Sequence, residues 1–176
     1  MGTLVHEYIE QKYNPDLKIK ECTNVEALKR IKKFEEKLSH RLKDLKSIRQ
    51  ELRIFSSKLG LAGTIDALFL RNGILYILDW KTNGKLRTDS DKNYSKLFPP
   101  FSDQWENEMN KYSIQLNLYK LMLAEYGIYV DKCVIVYIPP SDEEPKIIQC
   151  KDYIKKLEIY FGVNFYTNLE KTKYES

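Results

Sequence analysis

In the stretch GTIDALFLRNGILYILDWKT, residues 63–82, two aspartates and a lysine interrupt runs that are otherwise apolar. A charge among apolar neighbours is costly unless it is paired or binds a metal. Asn72-Gly73 between two β-type runs is the pattern of a two-residue type I′ hairpin turn, and such a turn sets the register of its strands. Arg71 then opposes Ile74, and stepping outward along both strands brings Asp66 opposite Asp79. Facing carboxylates repel one another unless one is protonated or a cation lies between them. Lys81, two residues beyond Asp79, projects from the same face of the same strand. A Lys81 salt bridge to one or both aspartates is one resolution, but it leaves two carboxylates for one lysine. A hard divalent cation held by oxygen ligands accounts better for the excess.

Two other groups have suitable chemistry and weaker signals. In YSIQLNLYKLML, Gln115 and Tyr119 lie four residues apart and so share a helix face, as such pairs often do in amphipathic helices. His6, in TLVHEYIEQKY, is by itself more typical of a satisfied structural histidine than of a ligand.

These residues need a frame. In the hairpin, Leu68, Leu70, Leu75 and Ile77 share the face of Asp66 and Asp79, while Ile65, Ala67, Phe69, Tyr76, Leu78 and Trp80 take the other. Both faces must therefore be covered. The spacing of Leu4, Val5, Tyr8 and Ile9 predicts a short N-terminal helix carrying His6. Thr23 to Glu26 has capping-box spacing, and the apolar series Val25, Leu28, Ile31, Phe34, Leu38, Leu42, Leu45 and Ile48 predicts a long amphipathic helix after it. Its other face carries Lys29, Arg30, Lys32, Lys33, Lys37, Arg41, Lys43 and Lys46, either a solvated face or a phosphate-contacting one. ELRIF, LAGTIDALFL and ILYILDWKT predict an antiparallel meander.

A polar stretch from Asn83 to about Asp103 follows, longer than a simple connection. It holds Lys85, Arg87, Lys92 and Lys96, with Tyr94, Phe98 and Phe101 interleaved. Such a stretch suits a grip on a nucleic-acid strand by charge and stacking, or an irregular surface loop. Beyond it the pattern predicts a helix over about 107–125, a buried strand KCVIVYIPP, a short edge strand KIIQC, and a closing helix interrupted at Gly162. The expected class is α/β (α+β), with a mixed central sheet flanked by helices. One domain is expected over 1–176: N-terminal helices at 2–46, a sheet-helix core at 49–149 and a C-terminal helix at 151–172.

The chain has 176 residues, a net charge of +4 and three scattered cysteines. The mild basic excess allows nucleic acid as a partner without requiring it. Cys22, Cys133 and Cys150 fit neither a disulfide framework nor a zinc knuckle. No apolar run approaches the ~20 residues that span a bilayer, and no signal-peptide layout opens the chain. A soluble intracellular protein is expected, with no membrane partner, in cytoplasm or nucleus and of cellular, viral or phage origin.

Together, the helical His6, Asp66 in GTID, the DWK of Asp79, Trp80 and Lys81, and the Gln-x-x-x-Tyr of Gln115 and Tyr119 resemble the RecB-like exonuclease branch of the PD-(D/E)XK nuclease superfamily. The likeness runs from about Gly2 to Pro139, with Ile65 in place of the proline that names the superfamily. It implies a restriction-endonuclease-like αβββαβ core and hydrolysis of DNA phosphodiester bonds with one or two Mg²⁺ or Mn²⁺ ions. Asp66 and Asp79 would be the main metal ligands, completed by the Trp80 carbonyl and the His6 imidazole. Lys81 would orient or help deprotonate the attacking water, and Gln115 and Tyr119 would position lysine, water or phosphate. Glu51, on the preceding strand, is expected beside Asp66 and behind the ligands, across a turn without a clean register. The cysteines cannot supply the four-cysteine iron–sulfur cluster of some relatives, so no such cluster is expected. The partner implied is DNA, single-stranded or at duplex ends, within or outside a larger replication or repair assembly. Exonucleolytic or end-processing action in replication, recombination or repair is the leading expectation. A structure-specific endonuclease and a catalytically inactive DNA- or protein-binding module on the same fold are the alternatives.

Overall fold

The computed structural model describes residues 2–14, 17, 22–140 and 142–175. Asn72 and Gly73 both take positive φ, 51° and 76°, as a type I′ turn requires. Strands β2 (Leu61–Arg71) and β3 (Ile74–Lys81) therefore pair in the register expected, from Arg71 opposite Ile74 to Ala67 opposite Leu78. Strand β1 (Lys46–Ser56) pairs antiparallel with β2. Helix α4 (Glu108–Glu125) carries the chain across to β4 (Lys132–Tyr137), which lies parallel to β3, and β5 (Lys146–Gln149) forms the far edge. The result is a mixed five-stranded sheet in the order β1-β2-β3-β4-β5.

Helices cover both faces. Helices α1 (Gly2–Tyr13) and α2 (Val25–Lys37) press Val5, Ile9, Ala27 and Phe34 onto Phe69, Leu78, Trp80 and Val136. On the other face α4, α5 (Ile154–Phe161) and α6 (Phe165–Glu175) bury Leu116, Met122, Leu157 and Tyr166 against Leu68, Ile77 and Ile135. Full burial of such side chains is worth roughly 1.5–3 kcal/mol each, which makes the sheet a stiff platform. Gly162 ends α5 in the left-handed conformation, φ 66°, where the interruption was expected. Among the described residues no helix is long and apolar enough to cross a membrane.

Three local expectations are corrected. The long second helix breaks: α2 ends at Lys37, a single turn, α3 (Ser39–Leu42), follows, and β1 begins at Lys46, so the helical block does not reach 46. The Ser39 hydroxyl donates to the Glu35 carbonyl at 2.8 Å, a side-chain competitor of the kind that disfavours helix continuation, and Ile48 belongs to the strand. The cap is Asn24 rather than Thr23, its side chain accepting from Ala27 N–H at 2.9 Å. Strict alternation also fails in β2. Ile65 packs with Leu68 on the α4 side instead of with Ala67 and Phe69, so β2 is irregular around Asp66.

Candidate metal centre

That irregularity has a counterpart on β1. The β1–β2 pairing runs Gln50 opposite Ala67 and Leu52 opposite Ile65, which sets Glu51 across from Asp66. Glu51 has φ 46°, an uncommon conformation for a residue with a side chain, and such outliers gather at functional sites. From the opposite side α1 contributes His6. One ligand atom each from His6, Glu51 and Asp66 lies within 4.8 Å of the others, close enough to share one ion.

Asp66 is held by its surroundings: one carboxylate oxygen accepts from Trp80 N–H at 3.0 Å, so it bridges β2 to β3 where their regular pairing ends. His6 Nδ1 approaches the same oxygen at 3.7 Å, too far for a hydrogen bond. Burial lowers the His6 pKa, with the Lys81 charge adding to it and the Asp79 charge and the Trp80 backbone opposing it. A neutral imidazole is the form that binds metal.

Asp79 sits deeper, at 3 % exposure. Burial and then the Asp66 charge push its pKa up to about 6, against Lys81 and His6. Lys81 Nζ lies 2.7 Å from Asp79 Oδ2, yet this oxygen has no partner in hydrogen-bond geometry among the described residues. The contact is a charge pair with directional capacity left over. Burial alone would lower the Lys81 pKa, but Asp79 and Asp66 outweigh it and the net direction is up, a fixed cation. Burial likewise raises Asp66, less the Trp80 hydrogen bond and Lys81. Burial, and then the charges of Asp66, Glu10 and Asp79, raises the Glu51 pKa. Three carboxylates, Glu51, Asp66 and Asp79, around one lysine are the feature a divalent cation would satisfy.

The cleft holding these groups has a volume of about 750 Å³, and Glu7, Glu10, Asn83 and Tyr112 also line it. Asp79 is not among the three residues whose ligand atoms cluster; it borders them through Lys81. Gln115 donates to the Tyr119 hydroxyl at 2.8 Å, but neither side chain lines the cleft. Tyr119 instead packs on Gly63, where an added Cβ would fall 2.4 Å from the ring. Tyr112, three residues before Gln115 on the same helix face, meets Lys81, whose Nζ lies 4.5 Å from the ring centroid. That spacing was a readable signal for Tyr112.

Arg30 was counted on the solvated helix face, yet it is buried at 6 % exposure and donates to the Thr82 carbonyl at 2.5 Å, just beyond Lys81. Its spacing from Ala27 and Phe34 places it on the border of the buried stripe.

The basic loop is largely committed elsewhere. Arg87 forms a two-pronged pair with Glu108, Lys96 lies 3.5 Å from the Trp105 ring centroid and donates to the Asp103 carbonyl, and Lys85 approaches Asp91 at 3.9 Å. Lys92 lies near the Tyr94 ring, and Phe101 is buried. Of its aromatics Tyr94 and Phe98 are exposed.

No protein-family model and no curated protein matches the chain. Among solved structures the fold resembles that of a protein from Eubacterium rectale described as a "putative exonuclease", with a TM-score of 0.59 and 16% identity over 97% of this chain. The likeness is one of fold. The chain spans 64% of that protein's length.

Proposed function

We propose that this chain is a metal-dependent deoxyribonuclease, a single domain of the PD-(D/E)XK superfamily in its RecB-like branch, hydrolysing phosphodiester bonds at DNA ends. The observation that carries the reading is the convergence of His6, Glu51 and Asp66 beside the buried Asp79–Lys81 pair, where β2 and β3 part. The fold likeness to a protein described as a "putative exonuclease" supports it.

His6, Glu51 and Asp66 would hold a Mg²⁺ or Mn²⁺ ion, with Asp79 and the Trp80 carbonyl next to them. Such an ion supplies polarisation of the scissile phosphate and a lowered pKa for bound water. Lys81, kept cationic by Asp79 and Asp66, stands at the cleft wall to offset phosphate charge and orient a water. Tyr112 restrains the Lys81 ammonium against its ring face. Arg30, through the Thr82 carbonyl, fixes the backbone just beyond Lys81. Gln115 and Tyr119 act one layer back, as a hydrogen-bonded pair against Gly63.

Calorimetric titration with Mn²⁺ separates this reading from an inactive binding module. The enzyme should bind the ion with an affinity that falls at least about tenfold in Asp66→Ala and in Glu51→Gln, as expected for lost ligands. Absence of binding by the wild-type protein would favour the module instead.

A further inference from the structure

The metal cleft does not end at Glu51. A second cleft, about 670 Å³, is lined by Tyr13 and Asn14 at the end of α1 and by Ser47 to Arg53 of β1, and it shares Glu51 with the first. The two form one groove between α1 and the outer edge of the sheet, since β1 is the last strand and pairs only with β2. Charge changes sign along it. The first part presents Glu7, Glu10, Glu51 and Asp66, while the second presents Arg49 and Arg53, two residues to either side of Glu51.

Most cations of the loop at 85–96 have partners. Arg49 and Arg53, by contrast, are exposed, and their side chains make no ion pair or hydrogen bond among the described residues. Beyond Arg53, Phe55 is 64% exposed, with Tyr126 edge-on to its ring at 6.3 Å. Free arginines beside a cation seat, followed by an exposed aromatic on the same strand, are the components of a single-strand track: charge for the backbone and a ring face for a base.

We infer that the β1-edge cleft is the binding track for the nucleic-acid strand flanking the scissile phosphate, with Arg49 and Arg53 as phosphate contacts and Phe55 as a base platform. The inference rests on the nuclease reading above and adds where the strand lies. Phosphate contacts made by the loop cations, as the sequence suggested, become secondary.

The test is fluorescence anisotropy of a labelled single-stranded oligonucleotide across a salt series with EDTA present, which prevents cleavage, for the wild type, Arg49→Ala/Arg53→Ala, Arg49→Lys/Arg53→Lys and Lys92→Ala/Lys96→Ala. Removing two phosphate contacts should lower the slope of log K against log[salt] by about 1.4 and weaken binding roughly uniformly across sequences. The lysine pair should keep the slope, and the loop pair should change it less than the arginine pair. Thermal unfolding and Mn²⁺ binding of the alanine pair should match the wild type, because both side chains are exposed. An unchanged slope in the alanine pair, with a wild type that does bind and cleave, overturns the track alone and leaves the arginines the role of blocking edge-to-edge strand pairing. A wild type that neither binds nor cleaves DNA overturns the nuclease reading and the track with it.

Discussion

Asp79 is buried beside the charge of a second aspartate, and one lysine, 2.7 Å from one of its oxygens, faces both. Without metal this arrangement opposes folding, because charge is withdrawn from water without full compensation. Replacing Asp79 by Asn removes the more deeply buried of two like charges and leaves Lys81 opposite in charge to Asp66. In chelator at pH 7.5, Asp79→Asn should therefore be more stable than the wild type by about 1–3 kcal/mol in urea unfolding. Equal or lower stability would mean that the pocket accommodates the charge by itself. At this scale the sequence was informative where a local rule fixed geometry. Asn72-Gly73 set the β2–β3 register, and Asp79 and Lys81 were brought together as expected. Glu51 lies beside Asp66 as expected, but nothing in the sequence puts it among the clustered ligand atoms, because the β1–β2 turn at 57–60 has no two-residue signature and its left-handed φ leaves no trace in the residue type. Arg30 and Tyr112 were misread or missed because periodicity gives a face but not a contact.

At the scale of elements, the position of α4 on the sheet depends on a glycine. Gly63 lies under Tyr119, and an alanine there meets the ring at 2.4 Å. Gly63→Ala should destabilise the protein by about 1–3 kcal/mol, read from the urea midpoint, and Tyr119→Ala in the same chain should recover part of the loss. If the single variant is as stable as the wild type, α4 does not depend on this approach. The connection between β3 and α4 is fastened at Asp89, which accepts from Asn107, Asn110 and Lys151. The Lys151 contact above all, against partial burial, holds its carboxyl below the usual carboxylate range. The folded state thus favours the charged form. The stabilisation is fully present above the ordinary aspartate value near ~3.9 and is lost as pH falls through the lower folded value. Asp89→Asn should flatten that part of the acid-unfolding profile followed by circular dichroism, and an unaltered acid limb would remove Asp89 as the fastening. The element order was legible because each strand and the α4 helix carried its own pattern. The break after Lys37 was not, because the apolar residues Leu38, Leu42, Leu45 and Ile48 continue the helical spacing by coincidence across a turn, a helical fragment and a strand.

At the scale of the molecule, the mixed sheet brings His6, Glu51 and Asp66 together where β2 and β3 part, on the α1 side, and the cleft along β1 shares Glu51 with theirs. A net charge of +4 is a weak general attraction for a polyanion, so under the proposed function the distribution of charge along the groove would do the selecting. The central claim is that this groove hydrolyses DNA with a divalent ion. The most direct measurement is incubation of end-labelled single- and double-stranded DNA with Mg²⁺ or Mn²⁺, comparing the wild type with Asp79→Ala and Lys81→Ala and blocking the 5′ or 3′ ends in parallel. Metal-dependent cleavage that requires a free end, and that drops at least about a hundredfold in both variants, is the expected result. Cleavage that survives both substitutions, or that proceeds equally in EDTA, would contradict the assignment.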